Sequence, residues 1–493
     1  MLGDMTPLEV RDPRTGECVG QVNELDAQAV DRAYAVAQHA QVKWAQVPVK
    51  ERAAIMMRLH DLILRNHNEL LDLIQQETGK NRRSAFDEIL DVAVTARHYA
   101  KRAPYLLRRH AAQGALPMVT KTRVDHAPIG VVGIISPWNY PLTLTISDAI
   151  PALLAGNAVI LKPDSQTPLT AIYAARLLVD AGLDPDLYQI LPGPGRIVGD
   201  RIARVADYLM FTGSTQTGRS LGAIAGERLI GFSAELGGKN PLIISPDADL
   251  SRAVRGTIEA AFSNSGQLCI SIERVYVHQD IADTFIPALV KKVKEMRIGG
   301  GGWEEDMGSL ISAEHRTHVM EYLDDALSHG ATLLHGGPRD DLGPAYLDPI
   351  VLTGVTDSAR LYREEVFGPV IAIEVVADEE TAIKKANDTQ YGLNSAVFAR
   401  SRTGWRIAGQ LESGTVNINE GFAAAFGSVD APMGGWKASG TGRRHADDGL
   451  LKYTEARTIA EQRFFPISGP QGVDRERYAG FLMNVLRWGK HIL

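Results

Sequence analysis

The sequence predicts an α/β fold built on parallel sheets covered by helices. Between residues 129 and 226 a short apolar run, a glycine-rich turn and a helical pattern recur in that order, as expected of parallel strands buried on both faces. A second alternation of the same kind starts after Gly237-Gly238 and extends to about 437. The chain has 493 residues, well past the ~250–300 at which one hydrophobic core stops growing, so two or three domains are expected.

Residues 1–20 read as an extended arm with turns at Asp12-Pro13 and Thr15-Gly16. Helical spacing covers 24–43, 50–64, 67–78 and 84–108, with Asp26 placed to cap the first helix and Pro48 near the start of the second. IGVVGII (129–135) is a strand, and the proline-bounded segment after it puts Trp138 and Asn139 on a loop. A helix over 143–155 leads to the strand AVILK (158–162), which ends in Lys162. A helix at 169–181, a strand at 187–191, a helix at 196–204, a strand at 208–211 and a helix at 215–226 complete the first cycle.

Ligands bind at the carboxyl ends of such strands, where Asn139, Lys162, Pro192-Gly193 and Gly213-Ser214 fall. Gly213-Ser214 opens a helix and offers free N–H groups to a pyrophosphate. It lacks GxGxxG, and reads equally well as a tight turn. Lys162 is placed to meet a phosphate or a ribose hydroxyl; a plain surface lysine is the other reading.

In the second cycle, strands are expected at 240–245, 271–278, 369–376, 393–399 and 414–419, with helices at 250–261, 280–296, 378–386 and 403–410. Residues 301–350 read as a variable glycine- and aspartate-rich segment around a helix near 313–329. Six glycines in 421–445 mark a binding or closing loop. A terminal strand is expected at 453–464 and an amphipathic helix at 478–493, docked on the body or on a neighbouring subunit in preference to a membrane.

Composition narrows the function. The chain is 45% hydrophobic and 23% charged with net charge -7, and has no basic block for nucleic acid. Two cysteines, Cys18 and Cys269, make no disulfide framework and fit the reducing cytoplasm. Without paired-cysteine spacing or HExxH, no metal is expected. The acidic, polar start is unlike a signal peptide, and no apolar run approaches the ~18 residues of a membrane span.

Cys269 is flanked by Asn264, Ser265, Gly266 and Gln267, and Glu235 lies 34 positions earlier. In one pocket, a thiol can form a covalent intermediate and a carboxylate can activate the water that releases it. The competing reading is a cysteine buried as a small hydrophobe.

Seven stretches occur together: PWNYP (137–141), LKPDSQTP (161–168), FTGSTQTG (211–218), ELGGKNP (235–241), GQLCISIER (266–274), EEVFGP (364–369) and PMGGWKASGTGR (432–443). In this order they resemble the NAD(P)-dependent aldehyde dehydrogenases over essentially the whole chain. The resemblance implies an aldehyde dehydrogenase-like fold with a Rossmann-like cofactor domain (1–107 and 128–237), an α/β catalytic domain (238–437), a β oligomerisation arm (108–127 and 453–465) and a C-terminal tail (466–493). It implies a homodimer or homotetramer.

By the same resemblance Cys269 is the nucleophile, Asn139 an oxyanion donor with the Cys269 N–H, and Glu235 the base for deacylation. Trp138, Lys162, Ser165, Gly213, Ser214, Glu365 and Phe367 fall in the cofactor-binding set. In NAD-preferring relatives the residue three past the lysine is commonly glutamate; Ser165 leaves room and positive charge for a 2'-phosphate. NADP is therefore expected, NAD possible, with Asp164 tempering the field. The motifs are similar to the NADP-dependent succinate-semialdehyde dehydrogenase branch. Members with that activity carry two arginines where this chain has Ser147 and Ser263, so Arg443 or Arg444 would have to hold the substrate carboxylate. The alternative is a broad-specificity aliphatic or aromatic aldehyde dehydrogenase, with Trp138, Phe422, Phe426 and Trp436 lining its tunnel or simply packing. A coenzyme-A-acylating enzyme is disfavoured by Glu235, and a catalytically silent cofactor-binding structural protein by the joint presence of Cys269, Glu235 and Asn139.

Overall fold

The computed structural model describes residues 7–115 and 119–490. Residues 1–6 of the expected N-terminal arm, 116–118 of the oligomerisation arm and 491–493 of the tail lie outside the described residues.

Two sheets organise the chain. The first has six strands in the order Gly440–Thr441, Gly231–Glu235, Tyr208–Thr212, Val131–Ile135, Ala158–Lys162 and Tyr188–Ile190. All pairs are parallel except Gly440–Thr441, which runs antiparallel to Gly231–Glu235. Val131–Ile135 and Ala158–Lys162 are buried at every position, which is why these strands are continuous apolar runs without alternation. The helices Ala27–Trp44, Val49–Arg65, Arg82–Leu106 and Pro168–Asp180 cover the sheet through Val30, Met56, Leu59, Ile89 and Leu178. Asp26 caps the first of these, accepting from the Ala29 N–H at 2.7 Å.

The second sheet has seven strands: Thr332–Pro338, Leu347–Thr353, Val370–Val376, Ile272–His278, Asn240–Ile244, Asn394–Phe398 and Thr415–Ile418. Only the first pair is antiparallel. Its core joins Leu242, Val275, Ile371 and Phe398 to Phe285 and Leu289 of the helix Gln279–Lys294. A separate antiparallel sheet of Thr454–Gln462, Thr120–Pro128 and His110–Ala112 stands at the surface, with Thr454–Gln462 exposed along nearly its whole length.

Several elements differ from expectation. The helix expected over 143–155 is two, Thr143–Ile146 and Ala149–Leu154. Pro151 has no N–H to give the Ser147 carbonyl, so the ladder breaks there. The helix expected over 196–204 opens as a wider turn, Gly195–Gly199, before Asp200–Val205. Strands Thr332–Pro338 and Leu347–Thr353 stand in the stretch read as variable; bulges at His335 and positive φ at Gly336 and Gly337 hide their alternation. The N-terminal arm is a hairpin of Pro7–Arg11 and Cys18–Asn23. Among the described residues no helix is long and apolar enough to cross a membrane.

Candidate active site

Cys269 lies where the helix Leu250–Phe262 is reversed toward the strand Ile272–His278. The reversal uses three successive residues in the left-handed region: Asn264 (φ 51°), Ser265 (φ 57°) and Gly266 (φ 70°). Non-glycine residues cost roughly 1–2 kcal/mol there, and hydrogen bonds offset it. Ser265 Oγ donates to the Gly308 carbonyl at 3.0 Å, and Asn264 Nδ2 to the Asn139 and Gln267 carbonyls at 3.1 and 3.0 Å. A Cβ on Gly266 would collide with the Gly368 carbonyl, so only glycine fits. Asn240 Nδ2 donates to the Cys269 carbonyl at 2.8 Å. The cysteine is therefore fixed on both sides.

Asn139 sits on the loop after Val131–Ile135. Its Nδ2 donates to the Gln267 carbonyl at 3.0 Å, which uses one of two amide hydrogens and leaves the other available. Its carbonyl accepts from Lys80 Nζ at 2.6 Å. Lys80 is fully buried and paired with Glu88 at 2.8 Å, and Glu88 Oε2 accepts the Leu142 and Thr143 N–H groups at 2.8 and 3.1 Å. This ion pair ties the Asn139 loop to the helix Arg82–Leu106.

Glu235 ends the strand Gly231–Glu235, with its backbone paired to Thr212 on one side and Gly440 on the other. It is buried, and its Oε2 has no hydrogen-bond partner. Burial pushes its carboxyl up to about 7, against the lowering pull of Arg444 and Lys452. Arg444 Nη2 lies 3.1 Å from Asp148 Oδ2, and Lys452 Nζ is 3.9 Å from Asp148 Oδ1.

Asn139, Glu235 and Cys269 line one cavity of about 730 Å³. Leu144, Phe262, Phe422 and Phe426 give it an apolar wall, and Arg444 adds a cation. Cys269 is half-buried. Its thiol is pushed up to about 12, first by desolvation and then by the Glu365 and Glu235 carboxylates. A shift in this direction favours the protonated thiol at neutral pH.

A second cluster surrounds the EEVFGP stretch. Glu365 Oε1 accepts the Gly238 N–H at 2.9 Å, and burial followed by repulsion from Glu273 raises its carboxyl to about 8. A Cβ on Gly237 would strike the Glu365 carboxylate, so the glycine turn is what admits that side chain. Phe367 takes a positive φ of 58° and meets the Trp138 ring edge to face at 5.6 Å. His315 Nε2 is 2.8 Å from the Phe367 carbonyl, and its ring is 5.7 Å from that of Trp138.

Lys162 and Ser165 sit at the carboxyl end of Ala158–Lys162. Lys162 is buried, and among the described residues it makes no ion pair; its Nζ donates to the Pro163 carbonyl at 2.7 Å. Desolvation lowers its pKa, partly opposed by Asp164. Half-buried Ser165 Oγ donates to the Gly193 carbonyl at 3.4 Å. Gly213 takes a φ of 159° before Ser214, whose Oγ accepts from Thr217 N–H at 3.3 Å to cap the helix Thr215–Arg228.

Other expected positions divide. Phe422 and Phe426 line the cavity; Trp138 and Trp436 are not among its lining residues. Ser263 lines it, whereas Ser147 Oγ donates to Asp91 at 2.6 Å. Arg444 lines it, while the Arg443 guanidinium donates to the Gly435 and Gly442 carbonyls. Lys80, Glu88, Asp148 and His315 carry no motif. A signal existed for Glu88: it is an acid at the spacing of Ala85, Ile89 and Val92, the apolar face of its helix.

Residues 3–459 match the model of the aldehyde dehydrogenase family. A Mycolicibacterium smegmatis protein provisionally named succinate-semialdehyde dehydrogenase (NADP(+)) is 54% identical over 91% of this chain and 87% of its own. A Mycobacterium ulcerans protein with the same provisional name, numbered 2, is 49% identical over 96% and 92%. The crystal structure of succinate-semialdehyde dehydrogenase from Burkholderia pseudomallei superposes with a TM-score of 0.89 at 34% identity, covering 93% of this chain and 95% of that one. Betaine aldehyde dehydrogenase from Staphylococcus aureus in complex with NAD+ gives 0.88 at 32%, covering 95% and 93%. The chain belongs to the aldehyde dehydrogenase family and is an enzyme of that family.

Proposed function

We propose that this enzyme oxidises succinate semialdehyde to succinate with NADP+ through a thioester on Cys269. The observation that carries the reading is the convergence of Cys269, Asn139 and Glu235 on one cavity. The names of the mycobacterial relatives support the substrate and cofactor, and Arg444 supplies a cavity-lining cation for the substrate carboxylate. Lys162, a buried ammonium with no ion pair among the described residues, suits a 2'-phosphate, and Ser165 leaves space for it. On this reading 1–107 and 128–237 form the cofactor domain and 238–437 the catalytic domain. The exposed arm sheet joins copies into a homodimer or homotetramer, and the enzyme works in the cytoplasm.

The chemistry follows from the side chains. The Cys269 thiol gives up its proton to solvent as its sulfur adds to the aldehyde carbon, and the alkoxide is met by the free Asn139 amide hydrogen and the Cys269 N–H, each donor contributing about 3 kcal/mol in the transition state. Lys162, Ser165, Gly213 and Ser214 hold the adenosine side of the cofactor; Trp138, Glu365 and Phe367 hold its other end. When bound, the cofactor supplies the oxidised ring that accepts the hydride. Glu235 takes a proton from water, hydroxide attacks the thioester carbon, and Cys269 leaves as thiolate.

A broader aliphatic or aromatic range is the second reading, favoured by Phe262, Phe422 and Phe426 on the cavity wall and by serines at 147 and 263. The test compares kcat/KM for succinate semialdehyde, hexanal and benzaldehyde with NADP+ and NAD+. Preference for succinate semialdehyde with NADP+ supports the proposal, and a preference for hexanal or benzaldehyde replaces it with the second reading.

A further inference from the structure

The family match ends at residue 459, and beyond it the chain forms the helix Arg475–Gly489. Asp474 caps it, accepting from the Arg477 N–H at 3.0 Å. Tyr478 and Leu482 are half-buried, but Phe481, Met483, Leu486 and Trp488 are 61, 56, 67 and 80% exposed. Ile467 and Val473 on the approach to the helix are exposed as well. At 100° per residue, the apolar positions 478, 479, 481, 482, 483, 485, 486 and 488 occupy well over half the circumference; Glu476, Arg477, Gly480, Asn484 and Arg487 fill the remaining arc, and Arg475 stands within the apolar arc at its first turn. A helix of 15 residues is marginal alone in water, and an apolar surface of this kind marks an interaction site.

Charge selects the partner. Residues 463–490 hold five cations (Arg463, Arg475, Arg477, Arg487, Lys490) and two acids (Asp474, Glu476), a net of +3 in a chain of net -7. A tail-to-tail contact between copies would set these like charges against each other, and the apolar arc is wider than the seam one helix pair buries. At ~22 Å the helix is too short to cross a bilayer core of ~30 Å. It has the composition of a helix that lies in the interfacial plane, aromatic and aliphatic side chains down and basic groups among headgroups. We infer that Arg475–Gly489 docks the enzyme on an anionic lipid surface, burying Phe481, Leu486 and Trp488 at the headgroup boundary.

The test is flotation of the full-length protein with vesicles of phosphatidylcholine alone or mixed with phosphatidylglycerol, at low and high salt. A net of +3, at a factor of about five per charge, gives roughly a hundredfold stronger partitioning onto the anionic vesicles at low salt. The triple variant Phe481→Ser, Leu486→Ser, Trp488→Ser is expected to lose flotation while keeping its aldehyde oxidation rate. Arg475→Gln with Arg487→Gln, which lowers the net charge of this segment from +3 to +1, is expected to cut the anionic preference from roughly a hundredfold to about fivefold while leaving flotation with phosphatidylcholine vesicles unchanged. Failure of the intact chain to float with either vesicle overturns the inference. So does a triple variant that floats undiminished, or one whose sedimentation shows a smaller assembly while flotation persists.

Discussion

Lys80 and Asn139 meet across the fold: the buried Lys80 ammonium donates to the Asn139 carbonyl at 2.6 Å while Glu88, 2.8 Å away, neutralises it. The loop carrying the proposed oxyanion donor is thus anchored by an ion pair with no access to solvent. Lys80→Met leaves the Glu88 charge buried without its partner and is expected to cost about 3–5 kcal/mol of stability by urea unfolding. Lys80→Met with Glu88→Gln is expected to recover most of that stability while kcat stays about ten- to a hundredfold low, because the Asn139 carbonyl keeps only the Asn264 amide as its donor. Wild-type kcat in a stable double variant would show that Asn139 holds its place without Lys80.

The acid limb of the rate profile belongs to Glu235 on the proposed mechanism. Its carboxyl sits at about 7, raised by desolvation and pulled down by Arg444, Lys452 and Arg443, with Asp148 opposing them. The neutral acid cannot accept a proton, so deacylation should rise as pH increases through about 7. Arg444→Met removes the first-named of the cations pulling it down and is expected to move this limb to higher pH, whereas Arg444→Lys should move it much less. An unmoved limb in single-turnover deacylation would remove Arg444 from the account.

The same carboxyl makes a stability prediction of definite sign. Its folded pKa of about 7 lies above the ordinary 4.5, so ionisation is harder in the folded state. Stability from this group is therefore full below pH 4.5 and is lost as pH rises toward 7. Glu235→Gln should stabilise the protein by about 1–3 kcal/mol at pH 8 and by little at pH 4, measured by denaturant unfolding. A gain that does not grow with pH would contradict the assignment of this shift to Glu235.

On the proposed reading cofactor choice turns on Ser165, which lies three residues past Lys162, a side chain with no ion pair among the described residues. Ser165→Glu brings a carboxylate to the space proposed for the 2'-phosphate, and like-charge juxtaposition costs several kcal/mol. The ratio of kcat/KM for NADP+ over NAD+ is expected to fall by about a hundredfold. An unchanged ratio would place the phosphate elsewhere.

Much of the candidate site was legible because the residues that line it sit in short contiguous stretches: Cys269 in GQLC, Glu235 before Gly237-Gly238, Asn139 after a buried strand. The parallel strands were legible for a related reason, since burial on both faces leaves uninterrupted β-branched runs. What escaped is tertiary. Lys80 reaches Asn139 across 59 positions of chain, and Arg444 reaches Asp148 across 296, distances over which no local pattern reports a contact. The strands Thr332–Pro338 and Leu347–Thr353 escaped because the first is interrupted by bulges and by Gly336-Gly337, which spoils the alternation that identifies a sheet edge. The break after Ile146 was readable from Pro151 alone.

The most direct test of a thioester on Cys269 is intact-protein mass spectrometry of Glu235→Gln after brief exposure to succinate semialdehyde and NADP+. With the base removed, the acyl group should remain on the enzyme, giving a mass increase of one acyl unit that maps to the Cys269 peptide and is absent from Glu235→Gln with Cys269→Ser. Turnover at the wild-type rate with no acylated species, or an adduct that survives the loss of Cys269, would contradict it.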